Sequence, residues 1–302
     1  MNGKVPHIVQ YQGSKRLLAP QILSYMPKRF NRLIEPFAGM AAITIAVAQE
    51  RRADCYCIND INAPLVKMLR AAVETPAELT ESYCALWCEQ FEYPEGHVQH
   101  YYHVRDMFNS GDQSAANTLY LLARCVKGAV RYGKNGLFNQ SPDKRRHGSK
   151  PDNVKENVCI ISGLLKGKAA FFANDYHEIL EMARPGDLVY MDPPYQGVSN
   201  ARDNRYLSGL EFSEFASSLE LLNKRGIDYL VSYDGECGGR SYGEELPDGL
   251  HCKKLLLDAG RSTQSTLLGK KETTLEALYV SEKLCPNIKP AAIQLSLLER
   301  AI

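Results

Sequence analysis

Short apolar runs separated by polar turns recur along the chain, and this pattern predicts β-strands. Seven such runs occupy residues 32–37, 55–60, 169–174, 188–191, 229–233, 253–258 and 275–281. From about residue 63 to residue 130 the apolar residues instead recur at helical spacing, as Leu119, Leu122 and Val126 do. Strands that alternate with helices, interrupted by one helical stretch, predict an α/β doubly wound sheet that carries an inserted segment.

One predicted strand ends in a rigid corner. The apolar run LVYM at 188–191 passes directly into Asp192, Pro193, Pro194 and Tyr195. Proline has no N–H to donate to a sheet, so the strand must end there. The two prolines hold Asp192 and Tyr195 in a stiff turn at the carboxyl end of the strand, which indicates a functional site.

A second candidate site follows the first two predicted strands. The sequence EPFAGMAA (35–42) is a turn of small residues that opens a helix, and Gly39 lies where a ligand would approach the backbone closely. Asp60 ends the next strand, the usual position of the acid that accepts ribose hydroxyls in nucleotide-binding sheets. The turn has fewer glycines than a dinucleotide fingerprint, so the pattern predicts a nucleoside ligand and does not require a pyrophosphate.

The overall composition is that of a globular protein and excludes several classes. The 302 residues have a formal net charge of +1 and contain no apolar run long enough to cross a bilayer. The first residues lack the pattern of a secretory signal. The nine cysteines are odd in number and form no CxxC pair, which predicts reduced thiols in a cytoplasmic protein, with no disulfide and no metal site.

The charges are separated along the chain. Residues 74–106 contain seven acids and one arginine, a local net of −6, whereas residues 124–168 contain eleven Lys or Arg and three acids, a local net of +8. This separation predicts one face that meets a polyanion, although solvated surface charge would give the same pattern.

Six short motifs follow one another along nearly the whole chain. They are YQGSK (11–15), EPFAG (35–39), NDIN (59–62), RYGKNGLFN (131–139), DPPY (192–195) and LLGKKETTLEALYVS (267–281). With these motifs in this order, the chain resembles the Dam-like (alpha-group) DNA adenine-N6 methyltransferases. The resemblance implies a Rossmann-like, seven-stranded sheet of the S-adenosylmethionine-dependent methyltransferases, formed by residues 1–68 and 166–302. It also implies a mainly helical target-recognition domain at residues 69–165, double-stranded DNA as partner, and a bacterial or phage origin.

The resemblance further implies which residues bind S-adenosylmethionine. They are Tyr11, Lys15, Glu35, Phe37, Gly39, Asp60, Asp175, Tyr176 and Asp192. Lys15 is expected near the cofactor carboxylate and Asp60 near its ribose, whereas Asp175 and Tyr176 are expected near its adenine. A surface role for Lys15 and a capping role for Asp175 are the alternatives. The family often has FxGxG where this chain has Ala41 in place of the second glycine, which predicts a slightly altered backbone.

Asp192, Pro193, Pro194 and Tyr195 are implied to form the catalytic corner. The N6 amino group of adenine is a poor nucleophile, because its lone pair is delocalised into the ring. The Asp192 carboxylate and the Pro193 carbonyl are expected to accept the two amino hydrogens and so favour a tetrahedral nitrogen. Tyr195 is expected to stack on an adenine that is flipped out of the duplex.

The segment between the second and third strands is implied to recognise DNA. Its candidate contacts are Arg131, Tyr132, Lys134, Asn135, Lys144, Arg145 and Arg146. Glycines in the middle of this segment predict a hairpin, and Tyr132 is expected to fill space beside the flipped base. Lys144, Arg145 and Arg146 are expected to neutralise phosphates. The family often has an asparagine after the tyrosine, where this chain has Gly133.

Other functions share parts of this pattern. Enzymes that act on RNA or on protein glutamine are disfavoured by the helical insertion with its basic hairpin, and DNA cytosine-N4 methyltransferases usually carry serine where Asp192 lies. A DNA-binding regulator without activity is the least favoured alternative, because Lys15, Asp60 and Asp192 are all present. A monomer and a homodimer, with or without a restriction enzyme beside it, are both compatible with the sequence.

Overall fold

The structure is a computed structural model, and it describes residues 4–194, 211–237, 240–242, 245–261 and 273–287. Tyr195 of the predicted catalytic corner and the first part of the closing motif lie outside the described residues. None of the described helices is long and apolar enough to cross a membrane.

One sheet lies at the centre of the described structure. Its strands are β1 (Phe30–Glu35), β2 (Ala53–Asn59), β3 (Ala169–Phe172), β4 (Leu188–Met191), β5 (Asp228–Cys237), β6 (Arg240–Tyr242), β7 (Cys252–Arg261) and β8 (Thr273–Ser281). They lie in the order β3-β2-β1-β4-β5-β8-β7, and the short β6 pairs with β5 beside this path. In this order across the sheet, β3, β2, β1, β4 and β5 are mutually parallel, whereas β8 runs antiparallel to its neighbours β5 and β7.

The chain changes its direction across the sheet at the boundary between β1 and β4. Strands β2 and β3 lie on one side of β1, and β4 and β5 lie on the other. Leu33 pairs with Leu188 and Ile34 pairs with Val189, so the loops after β1 and β4 leave the sheet side by side. In open parallel sheets a ligand binds at such a switch point, outside the carboxyl ends of the strands.

Helices cover both faces of the sheet and form the insertion. They are α1 (Ala19–Ser24), α2 (Ala42–Gln49), α3 (Ala63–Glu74), α4 (Pro76–Glu92), α5 (His97–Asn109), α6 (Ala115–Arg124), α7 (Pro151–Leu165), α8 (Tyr176–Glu181) and α9 (Phe212–Lys224). The side chains of Asn62, Ser114 and Asp175 accept backbone N–H bonds as the N-caps of α3, α6 and α8. Helices α4 and α5 pack on α6, and α6 packs in turn on α3, which joins the insertion to the sheet.

The central strands separate two cores. Leu33 and Tyr190 belong to the larger core, which residues of α1 to α7 also form. Ile34 and Val189 belong to the second core, beneath α8 and α9. Successive side chains of a strand point to opposite faces, and both faces are covered, so the strand sequences are continuously apolar.

The predicted fold class is confirmed, including the helical stretch between β2 and β3. All seven predicted strands are present, and β6 is an additional short strand. The first strand was predicted to reach residue 37, but Pro36 ends β1 at Glu35. The predicted domain boundary between residues 68 and 69 falls inside α3, and one core extends from the sheet into the insertion. The division into two domains stays a prediction.

Candidate active site

A cavity of about 560 Å³ opens at the carboxyl ends of β1 to β4. Its volume lies within the range of about 300–1,000 Å³ that is usual for small-molecule sites. The predicted site residues that line it are Tyr11, Lys15, Glu35, Phe37, Gly39, Asp60, Tyr132, Asp175, Tyr176, Asp192, Pro193 and Pro194. The switch point of the sheet therefore brings together the predicted cofactor residues and the described part of the predicted catalytic corner.

The turn between β1 and α2 forms part of the cavity wall. Gly39 has a φ of +50°, in the left-handed region that favours glycine, and a Cβ there would lie 3.3 Å from the Tyr11 ring. Asp60 accepts the Gly39 amide on one carboxylate oxygen (2.9 Å) and the Asn62 amide on the other (2.9 Å). Asp60 thus fixes this turn while it faces the cavity. Burial raises the pKa of Asp60, and the two amide bonds oppose that rise.

Ala41 adopts the left-handed backbone conformation at the start of α2, with a φ of +53°. An L-residue in this conformation carries a cost of about 1–2 kcal/mol that glycine avoids. The turn is nevertheless formed, because the Ala41 amide donates to the Ala38 carbonyl oxygen (2.6 Å) and α2 begins at the next residue. Alanine at this position therefore adds backbone strain and does not abolish the turn.

Asn59 joins three loops around the cavity, a role that was not predicted from the sequence. Its amide nitrogen donates to the carbonyl oxygens of Pro36 (2.9 Å) and Asn174 (3.0 Å). Its amide oxygen accepts the Asn174 N–H (2.9 Å), and the side chain is buried. The loops after β1, β2 and β3 are therefore held in register by one side chain. The NDIN motif contains this residue, but only the folded chain brings Pro36 and Asn174 beside it.

Glu35 is a buried carboxyl group that lines the cavity. It is 2% exposed, and the N–H and the hydroxyl of Thr44 both donate to its Oε2 atom (3.1 and 2.5 Å). Burial raises the pKa of Glu35 to about 8, and the negative charges of Asp192 and Asp60 add to the rise. Glu35 is therefore mainly protonated at neutral pH unless a positive charge lies beside it.

Aromatic rings line the cavity beyond the end of β3. The centroids of Phe37 and Tyr176 are 5.1 Å apart, and Phe215 packs on both rings. Such rings present flat apolar faces to a planar ligand. Asp175 accepts the His177 N–H (2.9 Å) as the N-cap of α8, which is the alternative role considered for it, and it also lines the cavity.

The corner after β4 contains a buried lysine that pairs with two partly exposed carboxylates. The Nζ atom of Lys15 lies 3.0 Å from Oδ1 of Asp192 and 3.3 Å from Oε2 of Glu276 on β8. Lys15 is 5% exposed, so the surface role considered for it is wrong. Beside this corner, the hydroxyls of Tyr190 and Ser232 form a hydrogen bond (2.8 Å) that joins β4 to β5. Asp192 is thus fixed by an ammonium group at the end of a buried strand.

Glu276 was missing from the sequence-based candidates. The available signal was one charged residue within the apolar run 275–281. Its partner Lys15 lies near the other end of the sequence, and only the position of β8 beside β5 brings the two together.

Tyr132 lies in the predicted hairpin, where it pairs with Phe138 on the opposite arm. It is half-buried, and its hydroxyl donates to Oδ1 of Asn62 (3.2 Å) at the start of α3. Tyr132 lines the same cavity as Asp192, next to the turn that Asp60 fixes. The hairpin therefore contributes one aromatic wall of the cavity.

Three other candidate residues of the hairpin do not line the cavity. Arg131, Lys134 and Asn135 are exposed and do not belong to its lining. A Cβ at Gly133 would lie 2.7 Å from Oδ1 of Asn135, so Asn135 occupies the space that an asparagine at position 133 would enter. The departure from the family pattern at Gly133 is thus accommodated by a neighbouring amide.

The predicted phosphate contacts lie on a separate turn, residues 143–148, which we call the basic turn. Lys144, Arg145 and Arg146 are exposed there and do not line the cavity. Asp143 organises the turn, since its Oδ1 atom accepts the N–H groups of Arg145 (2.9 Å) and Arg146 (3.2 Å). The basic turn and the cavity are therefore two distinct parts of the candidate site.

Among the described residues no group of three or more His, Cys, Asp or Glu side chains is arranged to hold a metal ion. The eight cysteines whose side chains are described are free thiols. The described lining of the cavity includes carboxyls, one ammonium group, the His177 imidazole, side-chain amides and aromatic rings.

Residues 11–263 match the model of the family described as D12 class N6 adenine-specific DNA methyltransferase. The chain is 28% identical over 238 residues to the DNA N-6-adenine-methyltransferase of Escherichia phage P1, with 76% of this chain and 30% of that protein aligned. It is 26% identical over 230 residues to the retron Ec67 DNA adenine methylase of Escherichia coli, with 74% and 76% aligned. A type II methyltransferase of Methanocaldococcus jannaschii is 25% identical over 272 residues, with 84% and 91% aligned.

Proposed function

We propose that this chain, which belongs to the D12 class of N6 adenine-specific DNA methyltransferases, transfers a methyl group to N6 of adenine in double-stranded DNA. One observation carries the proposal. Asp192 and Pro193 line the same cavity as the turn formed by Gly39 and Asp60. Hydrogen-bond acceptors for an amino group and a turn suited to a nucleoside thus share one space, as transfer between a cofactor and a base requires.

The cavity suits S-adenosylmethionine in its charge and its rings. Carboxyl groups outnumber basic groups along the lining, which favours a ligand with positive charge, and Phe37 and Tyr176 offer faces for an adenine ring. We assign the ribose to Asp60 and the methionine part to the side of Glu35. When bound, S-adenosylmethionine would supply the methyl group as an electrophilic sulfonium.

Asp60→Ala is expected to weaken S-adenosylmethionine binding by roughly 1.5–3 kcal/mol, the range for a hydrogen bond to a charged group. The loss has two sources, since Asp60 faces the ligand and also fixes the Gly39 amide. Titration calorimetry measures it directly. Asp54→Ala is the matched control, because Asp54 lies on β2, the strand that Asp60 follows, and is 73% exposed. Equal affinities for the two variants would restrict Asp60 to a structural role.

In the proposed reaction Asp192 and the Pro193 carbonyl accept the two hydrogens of N6, so that the nitrogen lone pair turns toward the methyl donor. The Lys15 ammonium group holds the Asp192 carboxylate in place. Glu276 shares the Lys15 ammonium group, so Asp192 keeps more of its negative potential toward the base. The proton leaves N6 after methyl transfer, when the nitrogen is acidic, and Asp192 therefore acts first as an acceptor and only second as a proton relay.

DNA binding is assigned to the hairpin and to the basic turn. An adenine inside a duplex cannot reach Asp192, and flipping it out costs a few kcal/mol. Tyr132, at the cavity wall, is assigned to the space beside the flipped base. The exposed hairpin residues Arg131, Lys134 and Asn135 are assigned to the duplex, and the three cations of the basic turn to phosphates.

Replacing Lys144, Arg145 and Arg146 together by Ala is expected to weaken binding to every DNA sequence alike. Each lost phosphate contact reduces the slope of log affinity against log salt by about 0.9, so the slope should flatten by between two and three units. The methylated sites should stay the same, because phosphate contacts carry no direct sequence information. Binding titrations at several salt concentrations, on several duplexes, measure both quantities.

The control for this triple variant replaces three other exposed cations of residues 124–168, which we call the basic stretch, by Ala; they are Lys155, Lys166 and Lys168. Removal of equal charge there should change the slope much less. If the two triple variants have equal slopes, the basic turn makes no special contact with phosphates. The same conclusion follows if the variant of the basic turn has the slope of the unmodified protein.

The substrate is tested with labelled S-adenosylmethionine and, in parallel, duplex DNA and RNA, followed by separation of the nucleosides. N6-methyladenine in DNA alone is the expected product, and sequencing that detects methylation then gives the recognised site. N4-methylcytosine in DNA, or methyladenine in RNA alone, would replace the proposed substrate by one of the alternatives.

A further inference from the structure

Arg124 is the first residue of the basic stretch, yet it does not lie on the surface. It is the last residue of α6 and is 0% exposed. Its guanidinium donates to the main-chain carbonyl oxygens of Asp143 (3.0 Å), Arg146 and His97 (3.4 Å). A buried charge is expensive unless hydrogen bonds compensate it, so these carbonyl groups must stay where they are for the fold to tolerate Arg124.

Two of the three carbonyls belong to the basic turn, and the backbone reinforces the attachment. The Asp143 amide donates to the Arg124 carbonyl oxygen (2.8 Å). Gly148, which closes the turn with a φ of +82°, lies so close that a Cβ there would be 3.0 Å from Cδ of Arg124. The basic turn is therefore wrapped around the Arg124 side chain from its first residue to its last.

The turn has one more anchor, which involves aromatic rings. His147 packs on Phe91 and on His97, with ring centroids 5.0 and 4.6 Å apart. His97 is also the residue whose carbonyl oxygen accepts from Arg124. Arg124 thus links the basic turn to the start of α5 as well as to the end of α6.

We propose that Arg124 is a positioning residue for DNA binding, which holds the basic turn so that Lys144, Arg145 and Arg146 face the phosphates in a preformed arrangement. The inference rests on the proposed function of the basic turn. Arg124 itself touches no DNA, because it is fully buried. A turn that is already ordered loses less conformational freedom on binding, and this difference appears as affinity.

The geometry of the guanidinium group is essential to this role. Its planar fork presents several N–H donors in fixed directions, and one nitrogen atom, Nη1, serves the carbonyls of both Asp143 and Arg146 while Nη2 serves His97. A lysine at position 124 would bring the charge but not the fork. Lysine is therefore expected to hold the turn only in part.

The test compares Arg124→Met and Arg124→Lys with the unmodified chain in binding to a short mixed-sequence duplex at several salt concentrations. Arg124→Met should weaken binding by about tenfold and flatten the salt slope by at least one phosphate contact, about 0.9. Arg124→Lys should fall between. The affinity for S-adenosylmethionine, measured by calorimetry, should change less than about twofold, since Arg124 does not line the cavity.

The matched control is Arg52→Met. Arg52 is also a largely buried arginine that donates to main-chain carbonyl oxygens, those of Leu23 (2.6 Å) and Met26 (3.3 Å), far along the chain from the basic turn. It should lower the melting temperature without any change in salt slope. An equal loss of DNA affinity in the Arg52 and Arg124 variants would reduce Arg124 to a general stabilising role and overturn the proposal.

A cycle with the triple alanine variant of the basic turn separates this proposal from the proposed function. If the triple variant binds DNA normally, the DNA face itself is misassigned. If it binds weakly, Arg124→Met should have little further effect in that background, because the cations that it positions are gone. A further loss as large as in the unmodified chain would overturn the inference alone.

A folded variant that disturbs the turn from its other side completes the test, in case Arg124→Met does not fold. Gly148→Ala keeps Arg124 and adds a Cβ that meets Cδ of Arg124 and the Ala123 carbonyl oxygen (3.1 Å) at a left-handed φ. It should flatten the salt slope in the same direction as Arg124→Lys. Normal slopes in both Gly148→Ala and Arg124→Lys would overturn the proposal.

Discussion

Asp192→Asn is expected to lower kcat for methyl transfer by about 10²–10³-fold, the loss seen when one preorganised electrostatic partner of a transition state is removed. Positive charge builds on N6 as it attacks the methyl group, and the carboxylate lies where it can accept an amino hydrogen. Asparagine keeps an acceptor oxygen but loses the negative charge. Asp192→Ala, which loses both, should be at least as slow.

Single-turnover rates, S-adenosylmethionine affinity and DNA affinity should be measured together for these variants, because the expected effect lies in the chemical step alone. Asp187→Asn is the matched control. Asp187 is a buried acid that, like Asp192, has a cationic partner, Arg32 at 2.6 Å, and it precedes the same strand, β4. It should lower the melting temperature and leave the transfer rate nearly unchanged. If Asp192→Asn transfers the methyl group as fast as Asp187→Asn, Asp192 has no catalytic role.

The fold was predictable because the ends of its strands carry strong local signals. Pro193 and Pro194 follow β4, whose predicted and observed bounds agree, whereas β5 and β7 extend four and three residues beyond their predicted ends. The small β6 was not predicted, since three residues cannot show a period. The helical insertion was predictable from its apolar spacing, which continues through several helices.

Much of the site was predictable for a topological reason. Gly39, Asp60, Asp175 and Asp192 each follow a parallel strand, and the carboxyl ends of parallel strands meet at one edge of the sheet. Residues whose role depends on packing between distant segments were not predictable. Glu276 reaches Lys15 only because β8 inserts beside β5, and nothing in the sequence near either residue indicates the other.

Charge counting has a similar physical limit. Arg124 contributes to the local excess of +8 in residues 124–168, together with the exposed cations of the basic turn. A sum over the sequence cannot separate a guanidinium that is buried among carbonyl oxygens from one that faces solvent. In the structure Arg124 is buried and donates to the Asp143 carbonyl oxygen, whereas the cations of the basic turn are exposed, and the experiment on Arg124 depends on this difference.

Glu35→Gln is expected to remove a pH dependence from the stability of the protein. The pKa of Glu35 is raised from an ordinary 4.5 to about 8 in the folded state. Between these values the unfolded chain releases the proton and the folded chain holds it, so the free energy of unfolding falls as the pH rises. Since one pKa unit corresponds to about 1.4 kcal/mol, the unmodified protein should lose on the order of 3 kcal/mol from pH 5 to pH 8 relative to the variant.

Denaturant unfolding of both proteins at pH 5 and pH 8, without cofactor, measures this difference. Glutamine keeps an oxygen that accepts from the N–H and hydroxyl of Thr44, so the variant should fold. Glu78→Gln, an exposed glutamate on α4, is the control and should follow the unmodified protein at both pH values. Parallel pH curves for the Glu35 variant and the unmodified protein would mean that Glu35 is ionised in the folded state.

Binding of the cofactor is also expected to change the protonation of Glu35. A sulfonium placed beside Glu35 would favour its ionised form, so S-adenosylmethionine binding near pH 7 should release a proton from the unmodified protein and not from Glu35→Gln. Calorimetry in two buffers of different ionisation enthalpy counts the protons. S-adenosylhomocysteine lacks the sulfonium charge and should release fewer. Equal release with both ligands would mean that the α-ammonium group, which both ligands share, lies beside Glu35 in place of the sulfur; no release with either ligand would put the methionine part elsewhere along the cavity.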